Sequence, residues 1–283
     1  MYVLGDSLDD TGNFASTIPG TPPSPYGVTN PGCPTGRFTN GGVLVDFIAQ
    51  ELGLKPTIPY HGCSCGTNFA FVGRTVLGLD YFHQRGVPTL VPGSFDNETA
   101  WFDSYRKNCS GIELEKSLVV VGGGGNDYNR LIRTNSATID EIIHHWVDPV
   151  VNKLVQVIEN TVKSGAKLEK ALFKSEAITK GATVFIADRY KFLYDVLREP
   201  GKYGFEKTHE ACYGGGGQHN AIVGCGDSRF TLCSNVSQYL FFDQFHFNFT
   251  ESFNRQEAMA LVHEKEYLVS NRGSRLSLDD LCR

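Results

Sequence analysis

Tyr2-Val3-Leu4-Gly5-Asp6-Ser7-Leu8-Asp9-Asp10-Thr11-Gly12-Asn13 is the stretch on which the reading of this chain turns. Three apolar, strand-favouring residues run straight into Gly-Asp-Ser. Gly5 permits a sharp turn where a side chain would clash. Ser7 then falls at a strand end, where open α/β sheets place their chemistry. Taken alone, a Gly-Asp-Ser is an ordinary turn. It gains meaning only if a base, an orienting acid and donors for a developing negative charge follow in the chain.

They follow in order. Gly66-Thr67-Asn68-Phe69-Ala70-Phe71-Val72-Gly73 comes first. Leu118-Val119-Val120-Val121 then leads into Gly122-Gly123-Gly124-Gly125-Asn126-Asp127. Near the far end, Leu240-Phe241-Phe242-Asp243-Gln244-Phe245-His246 supplies an Asp-x-x-His. Ester hydrolysis needs a nucleophile, a base, a group that orients the base, and oxyanion donors. Ser7 is the candidate nucleophile, His246 the base that takes its proton, and Asp243 the group that fixes the His246 tautomer.

With these four blocks in this order, the chain resembles the plant-type GDSL esterases/lipases of the SGNH hydrolase superfamily. Gly36-Arg37-Phe38-Thr39-Asn40-Gly41 and Pro200-Gly201-Lys202-Tyr203-Gly204-Phe205 also look like that branch. The resemblance implies an oxyanion hole made by the Ser7 and Gly73 backbone N–H groups and the Asn126 side-chain amide. Within the glycine run, only Gly124 and Asn126 match the family's Gly-x-Asn-Asp block. Asp6 and Asp127 are expected to hold the two turns through hydrogen bonds. The implied enzyme is a serine ester hydrolase acting on lipid or small acyl esters, with a small-molecule ester as its partner. Two other readings stay open: a binding or accessory protein that keeps the fold, and an acyltransferase using the same residues.

Three departures from the family pattern stand out. Phe247-Asn248-Phe249-Thr250-Glu251 follows His246 where the family has Pro-Thr-Glu directly. Arg74 follows Gly73 where the family prefers a small residue, narrowing the pocket or binding an acidic group. After Lys163-Ser164-Gly165-Ala166-Lys167 the family continues with an apolar strand and a Pro-rich turn, whereas Leu168-Glu169-Lys170-Ala171 follows here at once. Several dozen residues, including one strand of the parallel sheet, are missing by that alignment.

Composition bounds the alternatives. The chain has 283 residues, 41% of them hydrophobic, enough for a substantial core and against a wholly disordered chain. A formal charge of −5 with no long basic run argues against nucleic acid as the main partner. No run of 18 apolar residues suggests membrane insertion. There is no Gly-x-Ser-x-Gly elbow and no phosphate loop. His144-His145 sit side by side and read as a solvated helix face, not metal ligands. The proposed chemistry needs no metal and no organic cofactor.

Eight cysteines, Cys33, Cys63, Cys65, Cys109, Cys212, Cys225, Cys233 and Cys282, are many for the cytosol. Four glycosylation sequons stand at Asn97, Asn108, Asn235 and Asn248. Together they point to a secreted, extracellular protein. A signal peptide is then expected, yet Met1 falls directly on the first strand. A mature or trimmed form, or one lacking its start, would look this way.

The alternation of patterns predicts one domain over 1–283. Its expected class is α/β: three layers, α/β/α, around a mainly parallel, flavodoxin-like sheet, one strand shorter than the family's. Residues 15–40 read as a surface loop. Asn40 reads as the N-cap of a helix carrying Val43, Leu44, Phe47, Ile48 and Leu52 and closed by Gly53. A helix is expected over 94–109, and a buried parallel strand over 117–121. Thr138-Ile139-Asp140-Glu141 opens one long helix with Trp146, Val150, Leu154 and Val157 on a side. Residues 168–179 read as a helix, 182–187 as a strand followed by a helix through Leu197, and Thr250–His263 as the closing helix. Residues 199–238 read as a long loop that needs covalent help, so Cys212, Cys225 and Cys233 are its disulfide candidates.

Overall fold

Tyr2–Leu4 forms the first strand, β1, buried along its length. It is the middle of a parallel ladder. The computed structural model describes residues 1–20, 22, 25–27, 35–61, 65–109, 117–163, 168–169, 182–183, 185–222, 227, 229–247, 251–263 and 268–270. In chain order its helices are α1 (Asn13–Thr17), α2 (Leu44–Glu51), α3 (Leu79–His83), α4 (Phe95–Asn108), α5 (Gly125–Arg133), α6 (Ile139–His145), α7 (Val147–Lys163), α8 (Arg189–Arg198) and α9 (Glu251–His263). The strands after β1 are β2 (Val119–Val121), β3 (Leu168–Glu169), β4 (Ala182–Thr183), β5 (Phe185–Ala187), β6 (Lys207–Ala211), β7 (Tyr213–Gly214), β8 (Thr231–Leu232), β9 (Tyr239–Phe241) and β10 (Leu268–Ser270).

The chain divides into two compact units, Met1–Asn13 with Thr57–Val184, and Phe14–Pro56 with Phe185–Arg283. In the first, β1 pairs with β2 in parallel, Tyr2 opposite Val119 and Leu4 opposite Val121. On its other edge Val3 N–H donates to Thr67 O at 3.1 Å, Phe69 N–H to Val3 O at 2.7 Å, and Phe71 N–H to Gly5 O at 3.1 Å. Asn68 continues the ladder by a parallel bridge to Pro59. Tyr2 packs edge-on against Phe102 and Tyr105 of α4, with ring centroids 5.7 and 5.5 Å apart. Around it gather Leu4, Phe69, Phe82, Phe95, Leu131, Trp146 and Val150. A Cys65–Cys109 disulfide ties the end of α4 to the chain just before the 67–71 run, across Cα atoms 6.0 Å apart.

In the second unit α2 lies against α9. Arg189 of α8 grips the buried Glu257 of α9 with two hydrogen bonds, Nε to Oε1 at 2.5 Å and Nη2 to Oε2 at 3.2 Å. Phe192, Phe205 and Phe253 fill the space beside it. β6 pairs with β9 in parallel, while β7–β8 and β5–β10 are antiparallel. These parallel pairs, with helices α5 and α8 following β2 and β5, put the chain in the α/β class.

Several expectations need correction. Asn40 does not cap α2; Val43 precedes it, and the Asp46 carboxylate accepts the Val43 N–H at 2.9 Å. Arg37 holds that carboxylate with Nε and Nη2, both at 2.8 Å. The β2 residues are half-buried, not buried. The long helix is two helices that meet at Trp146, the C-cap of the first, at φ −116° and ψ −25°. Leu168–Glu169 is extended and pairs in parallel with β4, so the segment does not open as a helix; residues 170–181 lie outside the described ones. The 199–238 stretch is not a bare loop, since β6, β7 and β8 lie in it. Cys212–Cys233 is bridged there, with Cα atoms 4.9 Å apart; Cys225 lies outside the described residues. The 15–40 stretch is not all surface, because Tyr26, Phe38, Thr39 and Asn40 are buried.

Candidate active site

Ser7 follows β1 by three residues, on a turn built almost wholly from carboxylates. Asp6 Oδ1 accepts the Leu8 N–H at 3.0 Å, and Asp6 O accepts the N–H groups of Asp9 and Asp10 at 3.1 and 3.0 Å. Asp10 Oδ1 takes the N–H groups of Gly12 and Asn13 at 2.7 and 2.6 Å. Gly5 N–H donates to Glu98 Oε2 at 2.9 Å. A Cβ on Gly5 would stand 2.7 Å from Asp9 Oδ2 and 2.9 Å from Asp9 Cβ, so glycine there lets the Asp9 side chain close over the turn. The same oxygen stands 2.7 Å from where a Cβ on Gly122 would be, so one carboxylate packs over the ends of β1 and β2.

Gly73 follows the 67–71 run. Its φ is +74°, and an added Cβ would lie 2.6 Å from Val91 Cγ2, so conformation and space both require glycine. The turn before it is tied to the Ser7 loop, since Val72 N–H donates to Asp10 Oδ2 at 3.2 Å. Asn13 Nδ2 reaches the Asn68 and Ala70 carbonyls, both at 2.8 Å, and Asn68 Nδ2 returns to Asp9 O at 2.8 Å.

Asn126 is the second residue of α5, which follows β2 after Gly124, the N-cap residue, at φ +107°. Its Nδ2 donates to Arg74 O at 3.1 Å. Asp127 is buried and accepts the N–H groups of Val76 and Leu77 at 2.8 and 2.9 Å. Burial pushes its pKa up to about 6, against the downward pull of those N–H bonds and of Arg130. Ser7, Gly73 and Asn126 thus each follow the carboxyl end of one of three adjacent parallel strands, where open α/β sheets carry their sites. Arg74 bonds Asn97 Oδ1 through Nη1 at 3.0 Å, and its guanidinium lies 4.5 and 5.3 Å from the Phe71 and Trp101 ring centres.

In the second unit Asp243 and His246 share one turn after β9. His246 Nδ1 lies 2.7 Å from Asp243 Oδ2. Asp243 Oδ1 takes the N–H groups of Phe245 and His246, both at 2.7 Å, and His246 O accepts the Phe242 N–H at 2.9 Å. Tyr26 donates its phenol to Asp243 Oδ2 at 2.5 Å. Burial alone would push the Asp243 carboxyl up; the charge of His246 and the bonds from His246, Tyr26 and Phe245 outweigh it and bring its pKa down to about 2. Asp243 is therefore a carboxylate at every pH of interest, and the Nδ1 position is committed to it.

His144 and His145 are both exposed, and the described residues hold no cluster of metal-ligating side chains. Sequence reasoning assigned no role to Glu98, Tyr26 or Asp10. Glu98 had a signal: it falls with Phe95, Phe102 and Tyr105 on the buried stripe of α4. Tyr26, inside a Pro-rich run, had none.

The family model for GDSL-like lipase/acylhydrolase matches residues 1–250. Acetylajmalan esterase 2 of Rauvolfia serpentina is 28% identical over 326 aligned positions, covering 93% of this chain and 89% of that protein. Those positions outnumber the 283 residues here, so that relative carries segments this chain lacks. Sinapine esterase of Brassica napus is 27% identical, covering 92% of this chain and 84% of its own. GDSL esterase/lipase 5 of Arabidopsis thaliana is 27% identical, covering 87% and 78%. A match that spans most of the sequence, from the Gly-Asp-Ser turn to beyond the Asp-x-x-His, makes this chain a member of the GDSL-like lipase/acylhydrolase family and a carboxylic ester hydrolase.

Proposed function

We propose that the protein cleaves a small-molecule carboxylic ester, of a lipid or a small acyl group, through an acyl-enzyme on Ser7. Ser7 Oγ attacks the ester carbonyl while His246 Nε2 takes its proton. The Ser7 and Gly73 N–H groups and the Asn126 amide hold the oxyanion. One Asn126 N–H is fixed by Arg74 O, which orients the amide and leaves the second for the reaction. Collapse expels the alcohol, which receives the proton from His246; water then attacks the acyl-enzyme by the same route. Asp243 keeps the imidazole oriented and stabilises its charged form.

The observation that carries this reading is the Asp243–His246 pair, a buried carboxylate held ionised by four donors and bonded to the Nδ1 of its histidine. The experiment is labelling with a fluorophosphonate probe. Label on Ser7 that vanishes in Ser7→Ala supports the nucleophile; folded protein that takes no label supports the accessory-protein reading. That second reading is favoured by the segments present in the relative and absent here. Product analysis with an added alcohol separates hydrolysis from acyl transfer. We place the protein outside the cell: two disulfides support an oxidising setting, and the sequon residues Asn97, Asn108 and Asn235 are exposed. Asn248 lies outside the described residues. No described helix is long and apolar enough to cross a membrane.

A further inference from the structure

We propose that Glu98 is a positioning residue for the reaction: from the buried face of α4 it holds the Gly5–Ser7 turn as an uncharged carboxylic acid. The inference rests on Ser7 as the nucleophile. Glu98 is wholly buried, and its Oε2 accepts the N–H of Gly5, two residues before Ser7. Its Oε1 has no hydrogen-bond partner among the described residues. A bare hydroxyl in that place is tolerable; a bare carboxylate oxygen is far costlier.

The surroundings favour the neutral form. Burial drives the carboxyl well above its ordinary range. The Gly5 N–H and the Arg74 charge pull it down, while Asp6 and Asp10, on the loop after β1, push it up. Arg74, on the turn after the 67–71 run, is the opposing charge that faces it, and its Nη1 is engaged by Asn97. The first turn of α4 therefore grips two turns at once. Asn97 holds Arg74, next to Gly73, and Glu98 holds Gly5, two residues before Ser7.

Ionising Glu98 would place a further negative charge beside Asp6 and Asp10. Solvating it requires water between α4 and the end of β1, and that shifts Gly5 and with it Ser7. A displacement of about 1 Å at a reacting group costs on the order of 10²-fold in rate. Alkaline loss of activity then reports Glu98, separately from the acid limb that reports the histidine base.

The test compares kcat against pH for wild type, Glu98→Gln and Glu98→Ala on a phenyl ester corrected for spontaneous hydrolysis, with thermal melts on each. Glutamine keeps the acceptor for Gly5 and cannot ionise. Its neutral-pH kcat should stay within about threefold of wild type, as expected of a volume-conserving swap. Its alkaline fall should disappear. Alanine should lower kcat by about 10²-fold with KM little changed. An alkaline fall in Glu98→Gln identical to wild type overturns the proposal, and so does a folded Glu98→Ala with wild-type kcat. Should the alanine variant not fold, the glutamine profile decides. Mass spectrometry of the fluorophosphonate-labelled peptide reports Ser7 independently, so a wrong nucleophile and a wrong role for Glu98 give different results.

Discussion

Replacing Tyr26 by phenylalanine removes one oxygen and nothing else from a buried, aromatic-lined place. The phenol donates to Asp243 Oδ2, the same oxygen that faces His246 Nδ1. A hydrogen bond to a charged group contributes about 1.5–3 kcal/mol. The ring contacts with Phe38, Tyr213 and Phe242, at 5.3, 6.2 and 5.3 Å, survive the change, so little packing is lost. At about 2–4 °C per kcal/mol for a chain of this size class, Tm should fall by roughly 3–12 °C near neutral pH. The sign of the pH dependence is also set. Asp243 has its folded pKa depressed to about 2, so its contribution is present above the ordinary carboxylate value and lost as pH falls through about 2. Without the phenol the depression shrinks. The Tm gap between wild type and Tyr26→Phe should therefore be widest at pH 5–7 and close toward pH 2. In kinetics the carboxylate, relieved of a competing donor, holds the imidazolium more tightly, and the acid limb of kcat/KM should move to higher pH. Calorimetry and a pH–rate profile on both proteins measure this. An unchanged Tm together with an unchanged acid limb would refute the account of how Asp243 is held ionised.

Ser7→Ala and His246→Ala should each lower kcat by several orders of magnitude without loss of fold, because triad members act as a unit; near-wild-type turnover in His246→Ala would remove it as the base. Asn126→Ala should cost about 10²–10³ in kcat, the usual loss for one oxyanion donor, with KM little affected. Reducing Cys65–Cys109, which closes a 44-residue separation, should cost about 4 kcal/mol by the chain-entropy argument, seen as a lower Tm in Cys65→Ala/Cys109→Ala. A family-type strand and loop inserted between Lys167 and Leu168 should raise both Tm and ester turnover; equal values would show the shorter segment to be a tolerated surface loss.

The parts of this protein that follow from local pattern were readable in advance. The apolar run of β1, the helix stripe of α4 and the Thr138–Glu141 box each depend on neighbours a few residues away, and each stands where expected. The same holds for Asp243 and His246, which meet within one turn. What escaped depends on distant partners. Nothing near Tyr26 announces an acceptor 217 residues later. Cys65 pairs with Cys109 because the end of α4 returns to the 67–71 run, a consequence of tertiary packing and not of spacing. Asn40 resembled an N-cap by type, but Asp46, reaching back three residues and held by Arg37, supplied the acceptor instead. Trp146 fitted a continuous helical stripe, yet its ring stacks on Phe82 at 5.4 Å where two helices meet.

The Asp9 carboxylate, lying over both Gly5 and Gly122, makes those two positions dependent on each other. A methyl group at either must displace the same oxygen, and once it has moved, a second methyl meets less resistance. The cost of Gly5→Ala plus Gly122→Ala should thus be less than additive, a coupling between residues that follow two different strands. Drift at one of these glycines would then loosen the constraint on the other to the extent that the Asp9 oxygen turns away; shortening Asp9 would release Gly122, while a methyl at Gly5 would still stand 2.9 Å from the Asp9 Cβ.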